Sequence, residues 1–212
     1  MLQLYDYFRS SAAFRVRLAL NYKQLDYQKI KINLLTCEQS GSEYAKRNPA
    51  QLVPLLSTAD DDSIHQSLAI IEYLEECYPL PALLPSEPVA RAHVRALALD
   101  VACDIHPLNN LRVLKYLKNE LGHDETTVNQ WYQHWIHQGL ASIENWLKTS
   151  AFYTGAYCYR DQFTLADACL LPQLVNARRY EGDVSAYPIL LAIEQRCKQH
   201  DWVNEAYPEV TA

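Results

Sequence analysis

Residues 2–7 (LQLYDY) alternate apolar and polar side chains with the period of two that suits a strand. Residues 11–23 (SAAFRVRLALNYK) change to helical spacing, setting Val16, Ala19, Leu20 and Lys23 on one side. Two serines, Ser10 and Ser11, stand where that helix would be capped. Alternation returns at 26–32 (DYQKIKI), so the opening stretch predicts a βαβ unit with a parallel strand pair. A short helix near Glu43–Arg47 follows, then two strands, Val53–Ser57 and Ser63–His65, around the acidic turn Asp60–Asp62. Residues 67–78 put Leu68, Ile71, Leu74 and Tyr78 on one helix face, completing the order β-α-β-α-β-β-α by about residue 80.

The pattern then changes. Residues 79–88 (PLPALLPSEP) carry four prolines, which is linker chemistry, and no convincing strand follows. Val94, Leu97, Ala98, Val101, Ile105, Leu108 and Leu111 predict one long helix, kinked where Pro107 removes the bond to the carbonyl of Cys103. Asp124 is placed to cap a second long helix with Val128, Trp131, Trp135, Gly139, Ile143 and Trp146 along one side. Thr164-Leu-Ala-Asp167 resembles a capping box before the apolar run Ala168–Leu174, Pro188 opens another helix to about His200, and Asp201 would cap a last short one. The chain therefore divides into an α/β domain over 1–80 and an all-helical domain over 88–212.

Composition narrows the function. The 212 residues are 49% hydrophobic, enough for one sizeable core or two smaller ones. A formal charge of -6 argues against binding a polyanion such as nucleic acid, and no apolar run approaches the roughly 20 residues of a membrane span. Six cysteines at least eleven residues apart, with no CxxC and no signal-peptide core, point to a reduced, cytoplasmic protein. None of the five glycines lies in the first forty residues, which excludes GxGxxG and Walker-type phosphate cradles there. Within residues 1–35, however, six basic side chains (Arg9, Arg15, Arg17, Lys23, Lys29, Lys31) face only Asp6 and Asp26, a basic island in an acidic chain.

Three constellations could carry chemistry. At Arg9-Ser10-Ser11-Ala12 a strand turns into a helix, where free N–H groups, the helix dipole and two hydroxyls meet; this stabilises an anion, or simply caps the helix. In Asn48-Pro49-Ala50-Gln51-Leu52-Val53-Pro54 a cis Val53–Pro54 bond would turn the Val53 backbone toward a peptide-like ligand, though an ordinary trans turn is by far the commoner outcome for such a sequence. Gln66 and Ser67, just before helix 67–78, can offer donors to a carboxylate, with simple capping by Ser67 as the compatible alternative. His134 and His137 have helical metal-ligand spacing but no supporting cysteine or carboxylate, so no metal is expected.

These pieces, in this order, resemble the glutathione transferase superfamily, and SSAAFRVRLAL, HQSLAIIEYLEE, CDIHPLNNLRVLKYL and TLADACLLPQLVNARRY resemble signatures of its zeta class. The resemblance implies a thioredoxin-like N-terminal domain followed by a helical C-terminal domain, a homodimer, glutathione as cofactor and a small anionic substrate. The class comprises maleylacetoacetate isomerases, which act in aromatic amino-acid catabolism, and maleylpyruvate isomerases. It implies that Ser10 holds the glutathione thiolate with Ser11 supporting it, that Val53 pairs with the peptide backbone, and that Gln66 and Ser67 hold the γ-glutamyl end. Gln39 would reach the glycyl carboxylate. His106, Asn110 and Arg112 would close the site, and Arg9 and Arg179 would orient the substrate carboxylates.

Such chemistry adds a thiolate to a cis double bond, lets the new single bond rotate, and expels the thiolate again. Many members of the class have cysteine where this chain has Ala12, which removes an auxiliary thiol and leaves maleylacetoacetate and maleylpyruvate both open as substrates. Conjugation or dehalogenation of small α-halo acids, and a non-enzymatic protein that kept the fold, are the rival readings.

Overall fold

The computed structural model describes residues 1–208. The chain forms two units, one built from Met1–Leu83 together with the segment from His200 onward, the other from Leu84–Gln199. The expected division placed everything after residue 88 in the helical domain. The difference lies in the last helix, which packs on the first unit for a reason given below.

The first unit holds strands β1 (Leu2–Asp6), β2 (Tyr27–Lys31), β3 (Leu55–Ser57) and β4 (Ser63–His65) in the order β2-β1-β3-β4. Strands β1 and β2 run parallel and the other two pairs antiparallel. Helix α1 (Ser11–Tyr22) makes the crossover between β1 and β2 of the expected βαβ unit, and α2 (Ser42–Arg47) and α3 (Ser67–Cys77) complete the α/β part. Alternation along β1 explains the layering. Leu2, Leu4 and Asp6 turn to the face where Arg17 of α1 meets Asp6, while Tyr5 turns to the opposite face and packs with Leu55, Ile32 and Tyr44 of α2.

Half of the basic island proves to be internal. Arg15 and Arg17 are each 2% exposed and Lys23 5%, so they are fixed in the unit's interior rather than displayed to anions. Arg17 pairs with Asp6 at 2.6 Å and donates from Nε to the carbonyl of Ala206 at 2.9 Å. That second bond, with the Phe14–Tyr207 and Tyr22–Trp202 ring contacts, holds helix α9 (Asp201–Ala206) against α1. His200, not Asp201, occupies the cap position of α9, and no side chain caps it. Lys23 donates to Glu75 at 2.7 Å and to the carbonyls of Tyr78 and Pro81, and Glu75 accepts the N–H of Leu83. The proline-rich exit is thereby tied to α1 and α3.

In the second unit α4 (Pro88–Leu99) starts on Glu87, whose carboxylate accepts the N–H groups of Val89 and Ala90. The long kinked helix is not formed. Instead α4 passes into a π-helical turn at Asp100–Ile105, then a 3₁₀ turn at His106–Asn109, and the chain restarts as α5 (Leu111–Asn119). Pro107 sits in the first turn of the 3₁₀ segment, where its missing N–H is not needed. The π turn brings Ile105 onto Gly139 of α6 (Glu125–Thr149) so closely that a Cβ there would lie 2.2 Å from the Ile105 side chain.

Asp124 caps α6 as expected, accepting from Thr127 N–H at 2.8 Å. The buried stripe of that helix differs from the expected one: Val128, Tyr132, Ile136, Leu140, Ile143 and Leu147 face inward, and the tryptophans lie on the flank. Indole needs a partner for its N–H, and Trp131 finds one at the Leu108 carbonyl, 2.8 Å away. The capping box opens α7 (Leu165–Arg179), with Asp167 accepting from the Thr164 N–H and hydroxyl at 2.8 Å each. Glu144 of α6 accepts the first free N–H groups of α8 (Pro188–Cys197), those of Ile189 and Leu190.

Candidate active site

Strand register determines which segments meet. Asp6 pairs with Lys31, Tyr5 with Leu55, and Leu55 with His65. The residues following β1, β2 and β4 and those preceding β3 therefore emerge at one end of the sheet. Across that end, in strand order, come Gln39, Ser10, Val53 and Gln66-Ser67. Three spacings of about 4.8 Å make the row about 14 Å wide, comparable with an extended tripeptide of about 10 Å plus its terminal groups.

Each segment is held locally. After β1 the N–H of Ser10 bonds the Tyr7 carbonyl at 2.8 Å, and Arg17 donates to the Phe8 carbonyl, fixing the turn that presents Ser10. Ser10 is the N-cap of α1, its Oγ accepting from Ala13 N–H at 3.1 Å. Because that bond uses an acceptor lone pair, the hydroxyl proton remains available to an anion. Ser11 is buried at the start of the same helix. Arg9 is exposed, its guanidinium lying over the Phe8 ring.

After β2, Glu38 accepts the N–H of Asn33 at 2.7 Å and closes the loop that leads into the 3₁₀ turn Glu38–Ser40. Gln39 in that turn keeps its side-chain carbonyl oxygen shielded from water with no hydrogen-bond partner, an orphan that a ligand N–H would satisfy. Before β3, Tyr44 and the buried Asn48 both donate to the Leu52 carbonyl, at 2.6 and 2.7 Å. Burial pushes the Tyr44 phenol up to about 12, so it stays a donor. The Val53–Pro54 bond is cis, as is Leu80–Pro81. Among the described residues no hydrogen bond engages the Val53 N–H or C=O.

Gln66 caps the strand-to-helix turn before α3 with φ 71 and ψ 119, a conformation that costs a non-glycine residue about 1–3 kcal/mol. It is exposed, and no side chain caps α3, so the first-turn N–H groups remain open. Ser67 is 5% exposed and accepts from Nη1 of Arg15 at 3.2 Å. Sequence reasoning missed Arg15. Its signal was a guanidinium on the buried side of α1, four residues after Ser11.

The remaining expected residues lie in the second unit. His106 is half-buried where the π turn gives way to the 3₁₀ turn. Asn110 spends its side-chain oxygen capping α5 through the N–H of Arg112 at 3.1 Å, which leaves its amide N–H₂ for other work. Arg112 and Arg179 are both exposed, in the first turn of α5 and the last of α7. Arg178 is committed elsewhere, bonding Glu194 at 2.7 Å. His137 bonds the Tyr187 hydroxyl and His134 packs edge-on against Trp135. A cavity of about 500 Å³ in the first unit, lined by Tyr7, Phe8, Lys29, Lys31 and Tyr207 among others, contains none of the expected site residues.

Residues 1–76 match the family described as Glutathione S-transferase, N-terminal domain. Over 210 residues the chain is 46% identical to the probable maleylacetoacetate isomerase of Vibrio cholerae, across 98% of this chain and 96% of that one. The holo structure of a maleylpyruvate isomerase, described as a bacterial zeta-class glutathione S-transferase, superimposes with a TM-score of 0.95 at 41% identity, covering 99% and 98% of the two chains. A maleylacetoacetate isomerase from Methylobacterium extorquens AM1, solved with malonate and glutathione bound, gives a TM-score of 0.95 at 36% identity, covering 99% and 98%. The chain belongs to the zeta class of the glutathione transferases, the family of the maleylacetoacetate and maleylpyruvate isomerases.

Proposed function

We propose that the protein is a glutathione-dependent cis–trans isomerase that converts maleylacetoacetate to fumarylacetoacetate in aromatic amino-acid catabolism. The observation that carries this reading is the order of groups across the sheet end. Gln39, Ser10, Val53 and Gln66-Ser67 follow one another as the glycyl, cysteinyl, peptide-backbone and γ-glutamyl parts of glutathione would. The orphan oxygen of Gln39 and the open Val53 backbone suit a peptide, and the open first turn of α3 suits its terminal carboxylate. Glutathione supplies, when bound, a thiol that adds reversibly to the cis double bond.

Ser10 donates its hydroxyl proton to that sulfur and favours its ionised form. Lowering a thiol pKa of about 8.5 by two units needs about 2.7 kcal/mol. A charge-assisted hydroxyl bond contributes about 1.5–3 kcal/mol and the N-terminus of α1 up to about 1 kcal/mol, which together suffice without a general base. Ser11 supports the same turn. Arg9 and Arg179 orient the substrate carboxylates and stabilise the negative charge that develops next to the attacked carbon. Arg112, His106 and the free amide of Asn110 act from the helical unit on the bound peptide and on the closure of the site.

Maleylpyruvate is the second reading, because Ala12 places no thiol beside Ser11 and leaves both substrates open. A homodimer is part of the proposal, as the family resemblance implies. Six free cysteines support a reducing, cytoplasmic setting. The test is a panel of maleylacetoacetate, maleylpyruvate and dichloroacetate, each with and without glutathione. Isomerisation of a maleyl acid with glutathione recovered in full is expected. Turnover of dichloroacetate alone, or none of the three, would refute the reading.

A further inference from the structure

We propose that Arg15 is a positioning residue that fixes the donor sense of the Ser67 hydroxyl, and that this is how the α-carboxylate of the γ-glutamyl end is selected. The inference deepens the function proposed above and rests on its assignment of Ser67. Arg15 and Ser67 are 52 residues apart in sequence and come from different helices, yet Nη1 of Arg15 donates to Oγ of Ser67 at 3.2 Å, with both residues buried. A guanidinium carries only donors and keeps its charge at any accessible pH.

Serine has one proton and two acceptor sites. With one acceptor site filled by Arg15, its proton has to point away from the guanidinium, toward whatever lies outside. A hydroxyl polarised by a cation is also a stronger donor. Ser67 therefore presents its proton outward, which matches an acceptor-only group such as a carboxylate. The hydroxyl has no competing task in its own helix, since no side chain caps α3. Gln66, immediately before it, holds a positive φ of 71 at the entry to α3. The positive charge of Arg15 thus acts on the ligand through Ser67, while the side chain itself stays out of contact.

Calorimetric titration of glutathione, and of the dipeptide cysteinylglycine that lacks the γ-glutamyl group, tests this on the whole protein. Ser67→Ala and Arg15→Met should each weaken glutathione about 10- to 100-fold, the loss of one charge-assisted hydrogen bond. The double variant should be no weaker than either, and cysteinylglycine should bind all four proteins alike. Arg15→Lys, still an obligate donor, should stay within a few-fold of the original for glutathione. Arg15→Gln, whose amide can turn its oxygen to Ser67, should not. Full affinity in Arg15→Met beside a defective Ser67→Ala overturns the role of Arg15 alone. Full affinity in Ser67→Ala overturns it together with the assignment of Ser67. Equal losses for both ligands, or equal affinities for the Lys and Gln variants, mean that Arg15 is only a structural tie.

Discussion

Gly139→Ala sets two physical effects against each other. In the middle of a 25-residue helix, replacing glycine by alanine should stabilise by about 1 kcal/mol from propensity alone. The geometry opposes this. A Cβ at residue 139 would stand 2.2 Å from both Cγ1 and Cδ1 of Ile105, which is itself 2% exposed, β-branched and confined at the end of the π turn. Overpacking of this kind costs about 1–3 kcal/mol, and two atoms so deep inside contact distance place it at the upper end. The net expectation is a loss of about 2 kcal/mol, or about 4–8 °C in Tm for a chain of this size.

The same substitution made on an Ile105→Ala background meets no obstacle, so there the propensity gain should reappear and Gly139→Ala should raise Tm. Scanning calorimetry of the four proteins reads the reversal of sign. A stabilising Gly139→Ala in the original chain would refute the close packing of the π turn on α6.

Two further predictions concern the ends of the two units. Gln66→Gly relieves a strained backbone worth about 1–3 kcal/mol against about 0.5–1 kcal/mol of added chain entropy. Its Tm should therefore rise by a few degrees while glutathione affinity, measured by calorimetry, falls; a lower Tm would contradict the strain. For Glu194, burial opposes ionisation, but the hydrogen bonds from Arg178 and Lys198 outweigh it and hold the carboxyl below the usual carboxylate range. A depressed folded value stabilises above the unfolded carboxylate pKa and is lost as pH falls through the folded one. Arg178→Met should accordingly lower Tm at neutral pH and converge with the original chain in acid, and a gap that persists undiminished at low pH would contradict this.

What could be read from sequence was local. The helix beginning at Ser11, the cap at Asp124 and the box at Thr164–Asp167 depend on residues within one turn of each other, and all three are present. What could not be read depends on partners distant in sequence. The basic island looked like an anion-attracting surface because charge counting cannot show that Arg17 reaches Ala206, 189 residues away, or that Lys23 reaches Glu75. The inward side of α6 is taken by Tyr132, which stacks on Tyr180, with the tryptophans on the flank, an arrangement set by the neighbouring helices rather than by the spacing of apolar residues. The π turn brings Ile105 against Gly139 of another helix, a contact that no periodicity encodes. The segments of the candidate site were legible as motifs, but their order across the sheet end emerged only from strand register.

The most direct test of a Ser10-held thiolate is the titration of bound glutathione, followed by the ultraviolet absorbance of the thiolate in the original chain and in Ser10→Ala. In the original complex the thiol should ionise about two units below its free value of about 8.5, and in Ser10→Ala it should return toward that value with the peptide still bound. An equally depressed pKa in the two proteins would show that the serine at the head of α1 does not hold the sulfur.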